Sequence, residues 1–273
     1  MTENINPLLQ KSRLPGKIFQ LPSAGLFYVN GELSSDVENG EVHVHPMTGI
    51  EELYLKNPDM LFSGKGLSIV LKRCVPQILK PDDLLENDVQ AIFVFLRMVT
   101  YGDEFKIEAA HYLDQTDPDS DLCTEGGKPH SYLVSVESLI SRIKYINEEW
   151  VNRFGAVVLP TGHLVKFKPL LRRELLALLK KNAGKSQLEH QEIVDNLISH
   201  LLAMIDNVDG ITDKKMIAEF IESLPPQSLT SLGDSSFAFQ KWGVDSTQEL
   251  VCKDCKSTFT IDLPLDPISF FTP

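Results

Sequence analysis

The spacing of hydrophobic positions changes period several times along this chain, and each change marks an expected element. Residues 17–28 (KIFQLPSAGLFY) carry Pro22 and Gly25. That predicts two short strand pieces around a turn. Asn39-Gly40 is a turn dipeptide, and residues 41–45 (EVHVH) alternate as a half-buried strand does. The period then becomes helical. Thr48 with Glu51 three positions on makes a capping box, predicting a helix to about residue 62. Ser63-Gly64-Lys65-Gly66 breaks it, and residues 67–75 form a second helix stopped by Pro76. Pro81-Asp82-Asp83 suits the first turn of a third, where Pro and acids are favoured. Leu84, Leu85, Val89, Ile92, Phe93, Phe95 and Leu96 cover more than one of its faces. It should therefore be buried on several sides, ending near Tyr101-Gly102.

Strand patterning resumes at 105–112 and 131–136. Between them lies an acidic, turn-rich stretch, 114–127 (DQTDPDSDLCTEGG), so the two runs are expected to pair as a hairpin with a long insertion at its tip. Residues 137–150 read as helical, and 154–159 and 163–168 as strands around Pro160-Thr161-Gly162. Helices follow at 170–181, 187–206 and 213–223; the middle one repeats Ile193, Leu197, Leu201, Met204 and Ile205 at helical spacing. Pro225-Pro226 interrupts, 235–242 is a short amphipathic piece, and strand-like runs at 249–251 and 259–263 flank Cys252-Lys253-Asp254-Cys255.

The fold class expected is α+β: a helical body with short antiparallel β-hairpins and a zinc-ribbon-like hairpin pair. The organisation expected is a flexible leader over 1–16 and an N-terminal α+β region over 17–136 ending in the first hairpin. A C-terminal helical region over 137–273 would carry the Cys-x-x-Cys hairpin, as a separate domain or continuous with the first. A weak boundary would fall in the acidic stretch or near residue 183.

Composition narrows the class of partner. The 273 residues are 42% hydrophobic and 23% charged, as in ordinary globular chains, and long enough to bury a core without staples. With 26 basic and 38 acidic side chains the net charge is −12, which argues against a dedicated nucleic-acid binder but permits a local basic patch. No run approaches the ~18 apolar residues of a membrane span, and the polar N-terminus lacks the apolar centre of a signal peptide. A cytosolic setting is expected. Cys74, Cys123, Cys252 and Cys255 make no disulfide framework.

Cys252-x-x-Cys255 between two strand-like runs is the sharpest chemical feature. Such a knuckle offers two thiolates to one tetrahedral metal, usually zinc. The other two ligands are expected from the first hairpin, where Cys123 sits in the loop, His111 ends the incoming strand and His130 begins the outgoing one. The spacing leaves open whether His130 replaces His111 or Cys123, and a reduced, metal-free turn is the plain alternative. A thioredoxin-like motif fits less well, because that motif opens a helix in a βαβ unit.

Other motifs fail in detail. Asp117-x-Asp119-x-Asp121 begins like a calcium loop, but Leu122 replaces its Gly and Lys128 its Glu. Gly184-Lys185-Ser186 matches the end of a phosphate-binding loop, but Leu179 stands where the first glycine belongs. His43 and His45 read as surface histidines, and Arg172-Arg173 with Lys180-Lys181 as a solvated helix face. Glu51-Glu52, Asp82-Asp83 and Glu148-Glu149 are sequence neighbours, which do not face each other on a helix. The apolar terminus 263–273 (LPLDPISFFTP) should bury Phe270-Phe271 in the parent chain rather than on a partner.

The order of several blocks carries a resemblance. They are residues 17–28, 44–48 (VHPMT) followed by Glu51-Glu52-Leu53, 81–88 (PDDLLEND), 96–102 (LRMVTYG), Trp242-Gly243-Val244-Asp245, the Cys252/Cys255 knuckle and 267–271 (PISFF). In that order they resemble the baseplate hub assembly family of T-even-like tailed bacteriophages, over about residues 17–271. The resemblance implies a non-enzymatic structural or chaperone-like assembly protein that contacts other baseplate hub or tail proteins. It implies no catalytic residues; the acidic charge and the lack of a membrane-length apolar run are the grounds for expecting no nucleic-acid or membrane partner. It places the chain in the host bacterial cytoplasm during assembly, or in the virion tail. It also implies two cysteine-bearing hairpins sharing a structural zinc, with the first departing here: one cysteine, Cys123, flanked by His111 and His130. A cellular zinc-binding adaptor is the alternative. An enzyme would need an open zinc position with a base, for which Glu249 or Asp254 is available.

Overall fold

The computed structural model describes residues 14–112, 123, 129–182, 190–263, 265, 270 and 271. In chain order the elements are β1 (Lys17–Gln20), β2 (Glu41–Val44), α1 (Gly49–Lys56), α2 (Pro58–Phe62), α3 (Lys65–Cys74), α4 (Glu86–Tyr101), β3 (Glu104–Ala109), β4 (His130–Ser135), α5 (Val136–Ser141) and α6 (Glu148–Phe154). There follow β5 (Ala156–Val158), β6 (Leu164–Phe167), α7 (Arg172–Asn182), α8 (His190–Met204), β7 (Ile205–Val208), α9 (Lys214–Glu222), α10 (Pro226–Phe239), β8 (Thr247–Val251) and β9 (Thr258–Asp262). All pairings are antiparallel: β1 with β2, β3 with β4, β8 with β9, and β6 between β5 and β7. The fold class is α+β, helices with short antiparallel strand pairs, as the patterning predicts. Most of the leader, the calcium-like triplet and Gly184-Lys185-Ser186 lie outside the described residues.

Several elements differ from the sequence expectation for identifiable reasons. The helix after Thr48 keeps its capping box, with the Thr48 N–H donating to Glu51 Oε2 at 2.6 Å. It ends early, because Asn57 precedes Pro58 and adopts extended backbone; Pro58 then starts α2. Residues 22–28 form turns, with no second strand.

Pro81–Asp83 is only a short 3-10 turn, and Leu84 leaves it extended. Here strand-like pairing outcompetes the helix. Arg172 N donates to Leu84 O at 2.7 Å, Glu86 N donates to Leu170 O at 2.9 Å, and Leu85 bridges Leu171. Residues 137–150 split into α5 and the start of α6, because Lys144 between them exchanges backbone bonds with Gly243. The helix expected to reach 206 stops at Met204, where Ile205 and Val208 turn into the sheet as β7. Pro226 opens α10 instead of breaking a pattern, as suits a residue with no N–H at a first turn.

The buried side chains form two clusters. One joins α3, α4 and β3–β4 to Leu250, Cys252, Phe259, Phe270 and Phe271. The other joins Leu85, Ile146 and β5–β7 to α8, α9, α10 and Trp242. Leu84 belongs to the first and Leu85 to the second, so one extended dipeptide serves both. Phe270 and Phe271 are buried in the parent chain. Phe270 meets Phe105 at 4.9 Å between ring centroids and Phe271 meets Phe93 at 5.8 Å. The Arg97 guanidinium donates to Phe270 O and lies 4.4 Å from the Phe105 ring centroid.

One buried carboxylate ties the N-terminal turn to α4. Asp88 is fully buried and accepts from Ser23 N (2.9 Å), Ser23 Oγ (2.5 Å) and Tyr28 OH (2.7 Å). The Tyr28 hydroxyl in turn accepts from Leu85 N at 3.0 Å. Burial pushes the Asp88 carboxyl up to about 6, against three donors that favour its ionised form. The folded chain therefore holds this proton more tightly than the unfolded chain, whose carboxyl titrates near ~4. The resulting stabilisation is complete below about pH 4 and is lost as pH rises through about 6. Between pH 5 and pH 7, wild-type stability should fall about 1 kcal/mol more than that of Asp88→Asn in urea unfolding. Parallel pH profiles for the two proteins would contradict this assignment.

Candidate metal centre

The site is built by two hairpin tips that meet. In the first hairpin the register runs from Glu104↔Ser135 to Ala109↔His130, which leaves His111 just past the end of β3. Cys123 is held beside it, its N–H donating to His111 O at 3.0 Å. In the second, β8 and β9 pair from Thr247↔Asp262 to Val251↔Thr258, and the chain turns through 252–257. Cys252 N donates to Ser257 O at 2.9 Å and Lys256 N to Cys252 O at 3.1 Å. Lys256 takes a left-handed backbone, φ 64°, a conformation that costs a side-chain-bearing residue about 1 kcal/mol and that closes this tight knuckle.

Contacts around the tips hold them in register. The His111 ring stacks on Phe259, with centroids 5.0 Å apart, and Tyr132 meets Phe259 edge-on at 6.0 Å. Lys253 Nζ donates to Ser131 O at 2.6 Å and lies 5.3 Å from the Tyr132 ring centroid. His130 Nε2 and Asp254 Oδ2 are 2.6 Å apart.

Inside this frame, one donor atom from each of His111, Cys123, Cys252 and Cys255 lies within 4.8 Å of all the others. Cys123 Sγ and Cys252 Sγ are 3.4 Å apart, and Cys255 Sγ and His111 Nδ1 are 3.2 Å apart. The first distance is far beyond the ~2.05 Å of a disulfide. Zinc-to-sulfur and zinc-to-nitrogen bonds of ~2.3 and ~2.0 Å give a tetrahedron with edges of about 3.5–3.8 Å. The two contacts are within about half an ångström of those edges, so the cluster can close around one metal ion with small side-chain shifts.

The donors differ in environment. Cys252 is buried, His111 and Cys123 are half-buried and Cys255 is exposed. The Ser257 N–H and hydroxyl, aided by Cys252 and His111, pull the Cys255 thiol down to about 6. Loss of solvent and the neighbouring Cys252 and Cys255 sulfurs push Cys123 up to about 11. A cation at the centre would favour the thiolate at every cysteine.

The structure brings together the four residues singled out in the sequence, Cys252, Cys255, Cys123 and His111. It sets His130 apart, facing Asp254. Asp254, a candidate base in the enzyme reading, is thereby engaged, and Glu249 faces solvent on β8. Cys74 is buried in the first core and is not one of the grouped donors. His43 is exposed on β2, and neither it nor His45 joins a group able to hold a metal among the described residues. The sequence reading missed Phe259 as the platform for His111; its place on the buried face of β9 was the available signal. Among the described residues no helix is long and apolar enough to cross a membrane.

In metal-free protein at pH 7, iodoacetamide should modify Cys255 well before Cys123, followed by peptide mass spectrometry. The Cys255 rate should fall as pH drops below about 6. Equal rates at the two cysteines would contradict the asymmetry. Compared with family models, curated proteins and solved structures, the chain matches none.

Proposed function

We propose that His111, Cys123, Cys252 and Cys255 hold one structural zinc, and that the chain is a non-enzymatic assembly protein of a phage tail baseplate hub, working through protein–protein contacts. The observation that carries the zinc reading is the convergence of four donors from two hairpins 129 and 144 residues apart in sequence. Three thiolates with one imidazole are a soft, nitrogen–sulfur set that suits zinc over the oxygen-seeking calcium or magnesium. Four protein ligands fill a tetrahedral shell, leaving no position for a reacting water. The metal's work is then mechanical: it ties the C-terminal hairpin to the central one. The resemblance of the ordered blocks to the baseplate hub assembly family supports the setting.

Elemental analysis of the purified protein should give one zinc per chain. Cys252→Ser should lose it and melt ~10 °C lower, since a few kcal/mol moves the midpoint of a chain this size by 2–4 °C per kcal/mol. In extracts of cells infected with a phage deleted for this gene, added wild-type protein should restore baseplate formation and Cys252→Ser should not. A metal-free protein with an unaltered variant would contradict the zinc, and baseplates formed without the chain would contradict the assembly role.

A further inference from the structure

A cleft of about 800 Å³ opens between α3 and α7, beside the turn at Pro81–Asp83. None of the four metal-site residues lines it. Its floor is apolar, with Ile69, Leu79 and Leu176, and Leu79 is half exposed. Its rims are cationic. α3 contributes Lys65 and Lys72, and α7 contributes Arg173 and Lys180. On each helix the two cations are seven residues apart, so they share a face and stand about 10.5 Å apart along the axis.

The two acids in the cleft, Asp82 and Asp83, offset only part of its five cations, Lys65, Lys72, Lys80, Arg173 and Lys180. The Ser68 hydroxyl donates to Asp82, and Arg173 pairs with Asp83. Lys80, also on the rim, donates to Asn30 O at 2.6 Å. The ammonium groups of Lys65, Lys72 and Lys180 have no hydrogen-bond or ion-pair partner among the described residues. A surplus of three positive charges, five cations against two carboxylates, therefore borders one apolar floor on a protein whose net charge is −12.

We propose that this cleft docks an acidic amphipathic helix of a partner protein. Its apolar side would lie on Ile69, Leu79 and Leu176, and its carboxylates would meet Lys65, Lys72 and Lys180. Charge complementarity selects this occupant. Acids seven residues apart on a helix repeat at the same ~10.5 Å as the cations, and apolar anchors at i, i+3 and i+4 fit the strip between them. A small anion would not span the ~10.5 Å between the two cations of one helix, nor use the apolar floor. A second copy of this chain would bring another −12 into contact, which opposes close approach. The proposed function supplies the biological setting for this partner, and the two proposals fail separately, because substitutions in the cleft leave the zinc ligands intact.

The test uses the full chain and a fluorescein-labelled helical peptide with leucines at i, i+3 and i+4 and glutamates seven residues apart. The control peptide carries glutamine for each glutamate. By fluorescence anisotropy the glutamate peptide should bind at least ten-fold more tightly than the control, with the advantage shrinking in 0.5 M salt. The double variant Lys72→Glu, Lys180→Glu should lose that ten-fold, with zinc content and circular dichroism unchanged. Leu79→Ser should weaken both peptides without altering the salt dependence. Equal binding of the two peptides, no binding, or an unaffected double variant would overturn the proposal. So would sedimentation showing a wild-type dimer that the double variant dissociates, since the cleft would then hold a second copy.

Discussion

The return of the C-terminal hairpin onto the central one is the contact on which the first core depends. A two-stranded hairpin is marginal alone in water, and β3–β4 and β8–β9 each have only two strands. Their inner residues, Phe105, Ile107, Tyr132 and Val134 on one side and Leu250 and Phe259 on the other, are buried in one cluster. Closing a loop of more than 100 residues costs about 4 kcal/mol in chain entropy beyond a constant. Apparent zinc affinities of roughly 10–16 kcal/mol in small zinc-dependent folds exceed that cost. A metal at the hairpin tips is thus strong enough to set where the last segment of the chain goes, and with it Phe270, Phe271 and their contacts with Phe105 and Phe93.

Buried polar groups then fix how the helices sit against this core. Glu51 is fully buried, yet it caps α1 and takes Arg73 Nε at 2.7 Å, which joins α1 to α3. Glu86, at the start of α4, pairs with Arg172 at 2.9 Å at the start of α7. Burial raises the Glu86 carboxyl even beside that guanidinium. Such pairs add little net stability, because removing the charges from water offsets most of their attraction. Their consequence here is positional. One fixes α3 against α1 and the other fixes α7 against α4 beside the Leu84–Leu85 seam, and α3 and α7 are the walls of the cationic cleft.

Features encoded within a few residues were legible in the sequence. The Thr48/Glu51 capping box, the turn at Asn39-Gly40 and the hairpin around Cys252 and Cys255 all depend on local chemistry. Features decided by distant partners were not. Pro81-Asp82-Asp83 has the composition of a helix start, but the backbone of 84–86 pairs with 170–172 instead. Ile205 and Val208 continue a helical period, but β6 captures them. At the site, Cys-x-x-Cys and Cys123 stood out by type and spacing. The choice between His111 and His130 needed the fold, because Phe259 seats one ring and Asp254 engages the other. The basic residues of α7 read alone as a solvated face; only their approach to Lys65 and Lys72 makes them part of a cleft.

Amide hydrogen exchange with and without a zinc chelator tests the central claim, that one metal ties the two hairpins, most directly. Removing the metal should cost protection in β8–β9 and at the β3–β4 tip together, while β5, β6 and β7 in the second core keep theirs. Unchanged protection in both hairpins would contradict the account. So would uniform loss across the whole chain, which would make the metal a requirement for folding at large and not a tie between two hairpins.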